Sequence, residues 1–495
     1  MPWSEEEFRR ALADAADGAR PDPGALGMLR ARARRRERAR TFGYTFVGVG
    51  AAAALIVVGL TLRPTPRHPD VELAGPAGGA AAGSLTRAPV VREDAGGGSI
   101  LPEMAAGGRY VVFMSDAALV PSDTNGVSDT YVKDVATGTI GRVSVSSSGE
   151  QGNAASLSGS ISADGRFVAF RSFASNLVDG DSNGVSDIFL RDRSTGTTAR
   201  ISMASKGSQA NGGSDSASIS ADGGAVAFRS AATNLVSGDT NGIPDIFVVD
   251  TRTLATTRVS ISSGGRQTNG DSRNPVISGD GFHVAFSSIA STLVDGDTNH
   301  TWDVFIRDFR LHSIERASLS SKGIQGNLAS VFPSISYDGN VVGFVSSATN
   351  LVRGDTNGVR DVFLHWHAGA TDRVSFGPGV QANGASLSVA LDRNAEYVAF
   401  SSNASNLVPG DTNGHRDVFV VDVFTHAITL VSRSSDGTAT DADSGGPSIS
   451  ADGRFIAYQS FATTLSPSDH NGSLDVYVSD RVNHTTSRAS LPAAG

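Results

Sequence analysis

Short apolar triplets punctuate an otherwise polar, small-residue chain from about residue 97 onward. VAF stands at 168–170, 226–228, 284–286 and 398–400, with VVF at 111–113, VGF at 342–344 and IAY at 456–458. An apolar run this short, bounded by turn residues, predicts a buried strand rather than a helix. In the unit 156–213 the pattern predicts four strands: 158–163 (SGSISA), 167–172 (FVAFRS), 188–192 (IFLRD) and 198–202 (TARIS). The first has side chains small enough for a crowded axis. Asp164-Gly165 and Ser194-Thr195-Gly196 read as tight turns, and 174–187 as a long connection. An Arg-x-Ser element marks the fourth strand at Arg142, Arg200, Arg258, Arg316, Arg373 and Arg488, and only the sixth unit breaks it, with Leu430.

The unit is repeated. Asp-Thr-Asn-Gly-x-x-Asp, or a close variant, starts at Asp123, Asp181, Asp239, Asp297, Asp355, Asp411 and Asp469, in steps of 58 with one step of 56. A fixed period identifies blocks that bury their apolar faces against copies of themselves. Seven four-stranded blocks predict an all-β fold, a seven-bladed β-propeller over 96–495. Sequential blades are expected, the last supplying its own fourth strand near 485–491; the alternative is a clasp by 86–92.

The phrase SISADGRFVAFRS (160–172), followed by DIFLRD and Thr195-Gly196 (187–196), resembles the WD-repeat-like units of the TolB-type bacterial propellers. The resemblance covers roughly 97–491 and implies a propeller of the bacterial envelope. Two features depart from the family's pattern. Ile-Ser-Ala-Asp-Gly stands where the family has Trp-Ser-Pro-Asp-Gly, and seven units stand where TolB has six blades and an additional N-terminal domain.

Ahead of the propeller the pattern changes. Residues 42–62 (FGYTFVGVGAAAALIVVGLTL) carry no charge and, as a helix, span about 30 Å, the thickness of a hydrocarbon core. Seven arginines between Arg30 and Arg40 precede this stretch, whereas Arg63 and Arg67 follow it. The positive-inside rule therefore predicts a cytoplasmic segment 1–41, a membrane helix 42–62 and an exported propeller. Within 1–41, residues 4–17 read as an amphipathic helix with Ser4 as its expected N-cap, and 25–40 as a second helix expected to carry the arginines toward the membrane. Residues 63–95, rich in Pro, Gly and Ala, read as a flexible tether.

Charge narrows the partners. The formal net charge is −9, with the first 41 residues at +3 and the remainder at −12. An acidic propeller lacks the basic face that nucleic acid requires. The absence of Cys excludes disulfides and thiolate metal sites. Three lysines against 38 arginines fit a GC-rich bacterial genome.

In a four-stranded blade, the connections between strands two and three and between successive blades share one rim. That rim collects Asp123, Asn125, Asp239, Asn241, Asp355, Asn357, Asp411, Asn413, Asp469 and Asn471 from the repeated phrase. Gln151, Gln209, Gln267, Gln325 and Gln381 join them from a Gln-x-Asn signature. The expectation is a binding surface for an envelope protein, peptide or glycan.

Calcium is the sharpest candidate chemistry. Asp179, Asp181, Asn183 and Asp187 alternate around Gly184 as oxygen ligands do in calcium loops, and Asp295, Asp297, Asn299 and Asp303 do so around His300. The arrangement resembles loops of other calcium-binding propellers. The competing reading is a metal-free Asx-turn. His365 and His367, two apart on one strand, share a face, with no third ligand evident.

No Gly-x-Ser-x-Gly elbow or sialidase-type Asp box appears, and 495 residues leave no room for a hydrolase domain beside the blades. The chain thus reads as a membrane-anchored binding or scaffolding module, not an enzyme. One alternative is a lyase or glycosidase using channel-facing carboxylates. Another is a transmembrane sensor signalling through 1–41.

Overall fold

The computed structural model describes residues 98–204, 207–377 and 379–491. The predicted cytoplasmic segment, membrane helix, tether and 86–92 clasp lie outside the described residues. Among the described residues no helix is long and apolar enough to cross a membrane.

Seven four-stranded antiparallel sheets follow one another, each built from four consecutive strands. The second blade comprises Ser156–Ile161, Phe167–Ser172, Asp187–Asp192 and Thr197–Arg200. Its first strand begins and ends two residues earlier than the pattern predicts. The Ser162 hydroxyl accepts the Phe167 N–H at 2.9 Å and donates to Asp164 at 2.7 Å, so it builds the turn instead of prolonging the strand. The register slips between Leu157 and Gly159, where Ser158 takes φ 30°. The same bulge places Leu101, Ser216, Asn274 and Phe332 in left-handed backbone.

The apolar core lies between blades. Val168, Phe170 and Phe189 of the second blade pack with Val112 and Val132 of the first. Within each blade an aromatic pair stacks at 5.7–6.1 Å, as Phe170 does on Phe189. A fully buried side chain of this size contributes roughly 1.5–3 kcal/mol, and here it is buried only because a neighbouring blade is present.

The turn glycine has a second task beyond its φ of 75°. A Cβ on Gly165 would lie 2.1 Å from the Tyr110 ring of the preceding blade. The same contact sets Phe167 on Gly223, Tyr397 on Gly453 and Phe455 on Gly108. In the sixth blade the turn residue is Ala395, and the residue facing it across the blades is the smaller Val341.

Ring closure repeats the contacts used elsewhere. Ser99 N–H donates to Leu474 O at 2.6 Å, matching Ser156 to Ser128 and Ser214 to Ser186, both 2.8 Å. Lys133 Nζ donates to Leu491 O at 2.5 Å, as Arg307 does to Ile261 O at 3.1 Å. The seventh blade owns its outer strand, Thr485–Arg488, so the blades are sequential as expected.

Candidate functional site

The repeated phrase closes each blade from within. Asp187 opens the third strand of the second blade and is fully buried. Its Oδ1 accepts Ser202 Oγ at 2.5 Å, and its Oδ2 accepts Asn183 Nδ2 at 2.8 Å and Arg200 Nη1 at 3.5 Å. The same Nη1 reaches Asp181 Oδ1 at 2.8 Å and Gln209 Oε1 at 3.2 Å. Gln209 Nε2 then donates to Ser182 Oγ at 3.1 Å, and Asn183 Oδ1 accepts the Val185 N–H at 3.2 Å as an Asx-turn. One guanidinium thus ties the long connection, the fourth strand and the link to the next blade together.

Equivalent residues do the same elsewhere. Arg142 gathers Asp123, Asp129 and Gln151, with Asn125 on Asp129. Arg258 gathers Asp239, Asp245 and Gln267, with Asn241 on Asp245. Arg373 gathers Asp355, Asp361 and Gln381, with Asn357 on Asp361. Arg316 takes Asp297, Asp303 and Gln325, and Arg488 takes Asp469 and Asp475. Asn471 forms the turn by accepting the Ser473 N–H at 2.8 Å. The sixth blade keeps Asp411, Asn413 and Asp417 but has Leu430 and Ala439 where the arginine and glutamine stand.

The rim set expected to bind a partner is therefore turned inward. Asp239, Asp355, Asp411 and Asp469 are only 2–8% exposed. The calcium candidates meet the same geometry. Asp179 and Asp295 are exposed while Asp187 and Asp303 are fully buried, and the charge of each buried pair is met by Arg200 or Arg316. Among the described residues no three His, Asp or Glu side chains converge as a metal site. Asn183 and Asn299 each form an Asx-turn, accepting the Val185 and Thr301 N–H at 3.2 and 3.3 Å. His365 and His367 do share a crevice, where His365 Nδ1 meets Thr371 Oγ1 at 2.8 Å and His367 meets Glu315 at 3.3 Å.

What the repeat leaves free lies nearer the axis on the same face. In every blade but the sixth the second residue of the inner strand pairs with the fifth of the next strand, and these pairs differ from blade to blade. They include Leu157 with Arg171, Asp215 with Arg229, Arg273 with Ser287, and Val331 with Val345. Arg229 bridges Asp215 at 3.1 Å and Asp271 at 3.2 Å across two blades. Arg273 holds the other side of Asp271 at 2.5 Å and lies 4.9 Å over the Trp302 ring. Ile289 adjoins this cluster through its N–H on Asp271 O, and it, Leu101, Phe173, Phe332 and Phe461, from five different blades, are 40–48% exposed. Reading the repeats for what they share passes over these residues; their signal is that they break the repeat.

The opposite end of the axis holds a cavity of about 160 Å³ lined by Met104, Ile161, Ile219, Ile335, Leu391 and Ile449. Tyr337 and Arg393 cover part of it, the guanidinium 3.6 Å above the ring. Two carboxylates belong to these inner strands and their turns. Glu103 accepts Ser160 Oγ at 2.7 Å and the Ile161 N–H at 3.2 Å, and burial pushes it up to about 7. Asp392 accepts the Glu396 N–H at 2.8 Å and is likewise pushed by burial to about 7. Glu103 ties the inner strand of the first blade to that of the second, and Asp392 serves the backbone of its own turn.

No family model matches the chain, and no curated protein matches it. Solved structures do. The propeller domain of the trilobed protease from Pyrococcus furiosus, described as having an open velcro topology, is 10% identical with a TM-score of 0.48. That match covers 81% of this chain and 99% of the other. A prolyl endopeptidase structure is 11% identical with a TM-score of 0.50, covering 79% of this chain and 49% of the other. This chain thus spans about half the length of that enzyme. A TolB-like protein of Agrobacterium tumefaciens is 18% identical with a TM-score of 0.34, covering 56% and 79%.

The seven four-stranded sheets make the fold a seven-bladed β-propeller, the prolyl endopeptidase likeness goes no further than that fold, and the TolB-type family is not shown. The comparison also corrects one expectation. The similar propeller of TM-score 0.50 is part of a prolyl endopeptidase, so the reading of this chain as not an enzyme does not stand. Such propellers often accompany a separate catalytic domain, and a propeller alone is not thereby shown to be catalytic.

Proposed function

We propose that this propeller is a recognition module that holds a polypeptide segment across the axial mouth of its long-connection face. The observation that carries this reading is the coincidence of exposed Phe173, Phe332 and Phe461 with the Arg229–Asp271–Arg273–Trp302 cluster, all at positions where the repeats diverge. Aromatic and arginine side chains are the usual anchors of protein interfaces. The buried arginine networks beneath them keep the platform rigid, so little ordering cost falls on binding. From the apolar stretch 42–62 and its arginines, the module is held at the outer side of a bacterial membrane and meets a ligand of the envelope.

A photo-crosslinking residue in place of Phe173 or Phe332 tests the surface. Discrete peptide adducts are expected in the envelope from these positions, and none from Leu254 on the opposite face. Equal labelling from both faces, or no adduct from the mouth, would overturn it. A reporter fused after Gly495 tests placement and is expected to be active only outside the cytoplasm.

A further inference from the structure

The sixth blade has lost the cation that the other six blades bury. Its Leu430 packs into the apolar cluster of Val398, Phe400 and Phe419, and Ala439 replaces the glutamine that braces the arginine elsewhere. The acidic partners stay. Asp417 is fully buried and Asp411 is 6% exposed, and Asp411 Oδ2 has no hydrogen-bond partner. In the second blade a single nitrogen, Arg200 Nη1, sits between the corresponding oxygens at 2.8 and 3.5 Å. Losing the glutamine also matters. Gly180 O and Gly238 O accept from Gln209 and Gln267, whereas Ala439 offers Gly410 O no such donor.

We infer that the sixth blade takes a calcium-class divalent cation in the place of the missing guanidinium, held by Asp411, Asp417 and the Gly410 carbonyl. The donor set is all oxygen with two negative charges, which matches a hard divalent ion that completes its shell with water. A buried carboxylate pair without a counter-charge is costly, and six blades of this protein show what position the counter-charge occupies. Arg433, exposed at a position that is Val145, Met203, Ile261 and Leu319 in other blades, acts on Asp411 through space without forming an ion pair. This site is distinct from the sequence-predicted loops at Asp179–Asp187 and Asp295–Asp303, where arginine already fills the role.

Equilibrium dialysis of the detergent-solubilised full chain against millimolar calcium chloride tests the site. One equivalent is expected to be retained by the parent and lost in Asp411→Asn. The informative variant is Leu430→Arg with Ala439→Gln, which restores the arrangement of the second blade. It is expected to lose that equivalent while melting in chelator at or above the parent's temperature, which separates lost binding from lost folding. A parent that retains no calcium, or a double variant that retains as much as the parent, overturns the inference.

Discussion

The second and sixth blades carry the same four strands and the same Asp-x-Asn-Gly-x-x-Asp phrase, yet they resolve its charge in different ways. In the second, Arg200 enters from the fourth strand and Gln209 braces it. In the sixth both are gone together, and the carboxylates are left facing each other's field. The blades differ at the other end as well. Gly165 lies beneath Tyr110, whereas Ala395 lies against Val341, and Asp392 stands where Ser162 caps the turn. The departures in the sixth blade come in pairs, Leu430 with Ala439 and Ala395 with Val341. The framework of this blade is therefore a set of coupled choices.

The largest break in this comparison is Arg200→Leu, which gives the second blade the sixth blade's leucine without its other adjustments. Two buried carboxylates lose their cation, a loss expected to cost about 3–5 kcal/mol. Urea denaturation followed by tryptophan fluorescence measures it. A loss below about 1 kcal/mol, the scale of an exposed ion pair, would mean the network contributes little to stability.

Next in size is a pH effect at Asp392 of the sixth blade. Burial raises Asp392 to about 7, above its unfolded value near 4. A raised folded value means that its contribution to stability is full below about 4 and is lost as pH rises through about 7. For this buried side chain the loss amounts to as much as about 4 kcal/mol. Melting temperatures between pH 5 and 8 are expected to fall more steeply in the parent than in Asp392→Asn. Glu103, also raised to about 7, is present in both proteins, so the difference between the two slopes isolates Asp392.

Much of this was legible before any coordinates. The period set the blade count, the VAF triplets marked the buried second strand, and the Asp-Gly turns joined the first two strands. What the linear pattern concealed was direction. Asp181, Asn183 and Gln209 read as an exposed ligand set because each is polar and sits in a connection. Arg200, which turns them inward, lies on another strand, and Gln209 in the following connection. The joint loss of Leu430's arginine and Ala439's glutamine in one unit was the available clue to that coupling. The mouth cluster was missed for the opposite reason. Arg273 and Trp302 recur in no other unit, and Arg229 and Asp271 each recur in one other, so their meeting across two blades follows only from ring geometry.

Smaller in effect, the turn contact sharpens the comparison as a double-mutant cycle. Gly165→Ala must displace the Tyr110 ring and hold alanine in left-handed backbone, which costs about 2–4 kcal/mol from overpacking and strain together. Combining it with Tyr110→Val copies the Val341–Ala395 pair of the sixth blade. The pair is expected to recover at least 1 kcal/mol relative to the sum of the single changes, the coupling that contacting residues show. Strict additivity in urea denaturation would show that ring and turn are independent.

The smallest expected change in stability belongs to the residue with the largest expected effect on binding. Phe173 is 45% exposed and its ring lies 4.6 Å from the Arg171 guanidinium, an exposed contact worth about 0.5–1 kcal/mol. Phe173→Ser is therefore expected to leave the melting curve nearly unchanged, in contrast to Arg200→Leu on the same blade. If the mouth recognises a polypeptide, that variant loses crosslinking from a probe placed at Phe332 while its fold persists. A Phe173→Ser protein that unfolds like Arg200→Leu would assign the exposed ring to the architecture. The division between a repeated, buried framework and a divergent mouth would then fail at its clearest position.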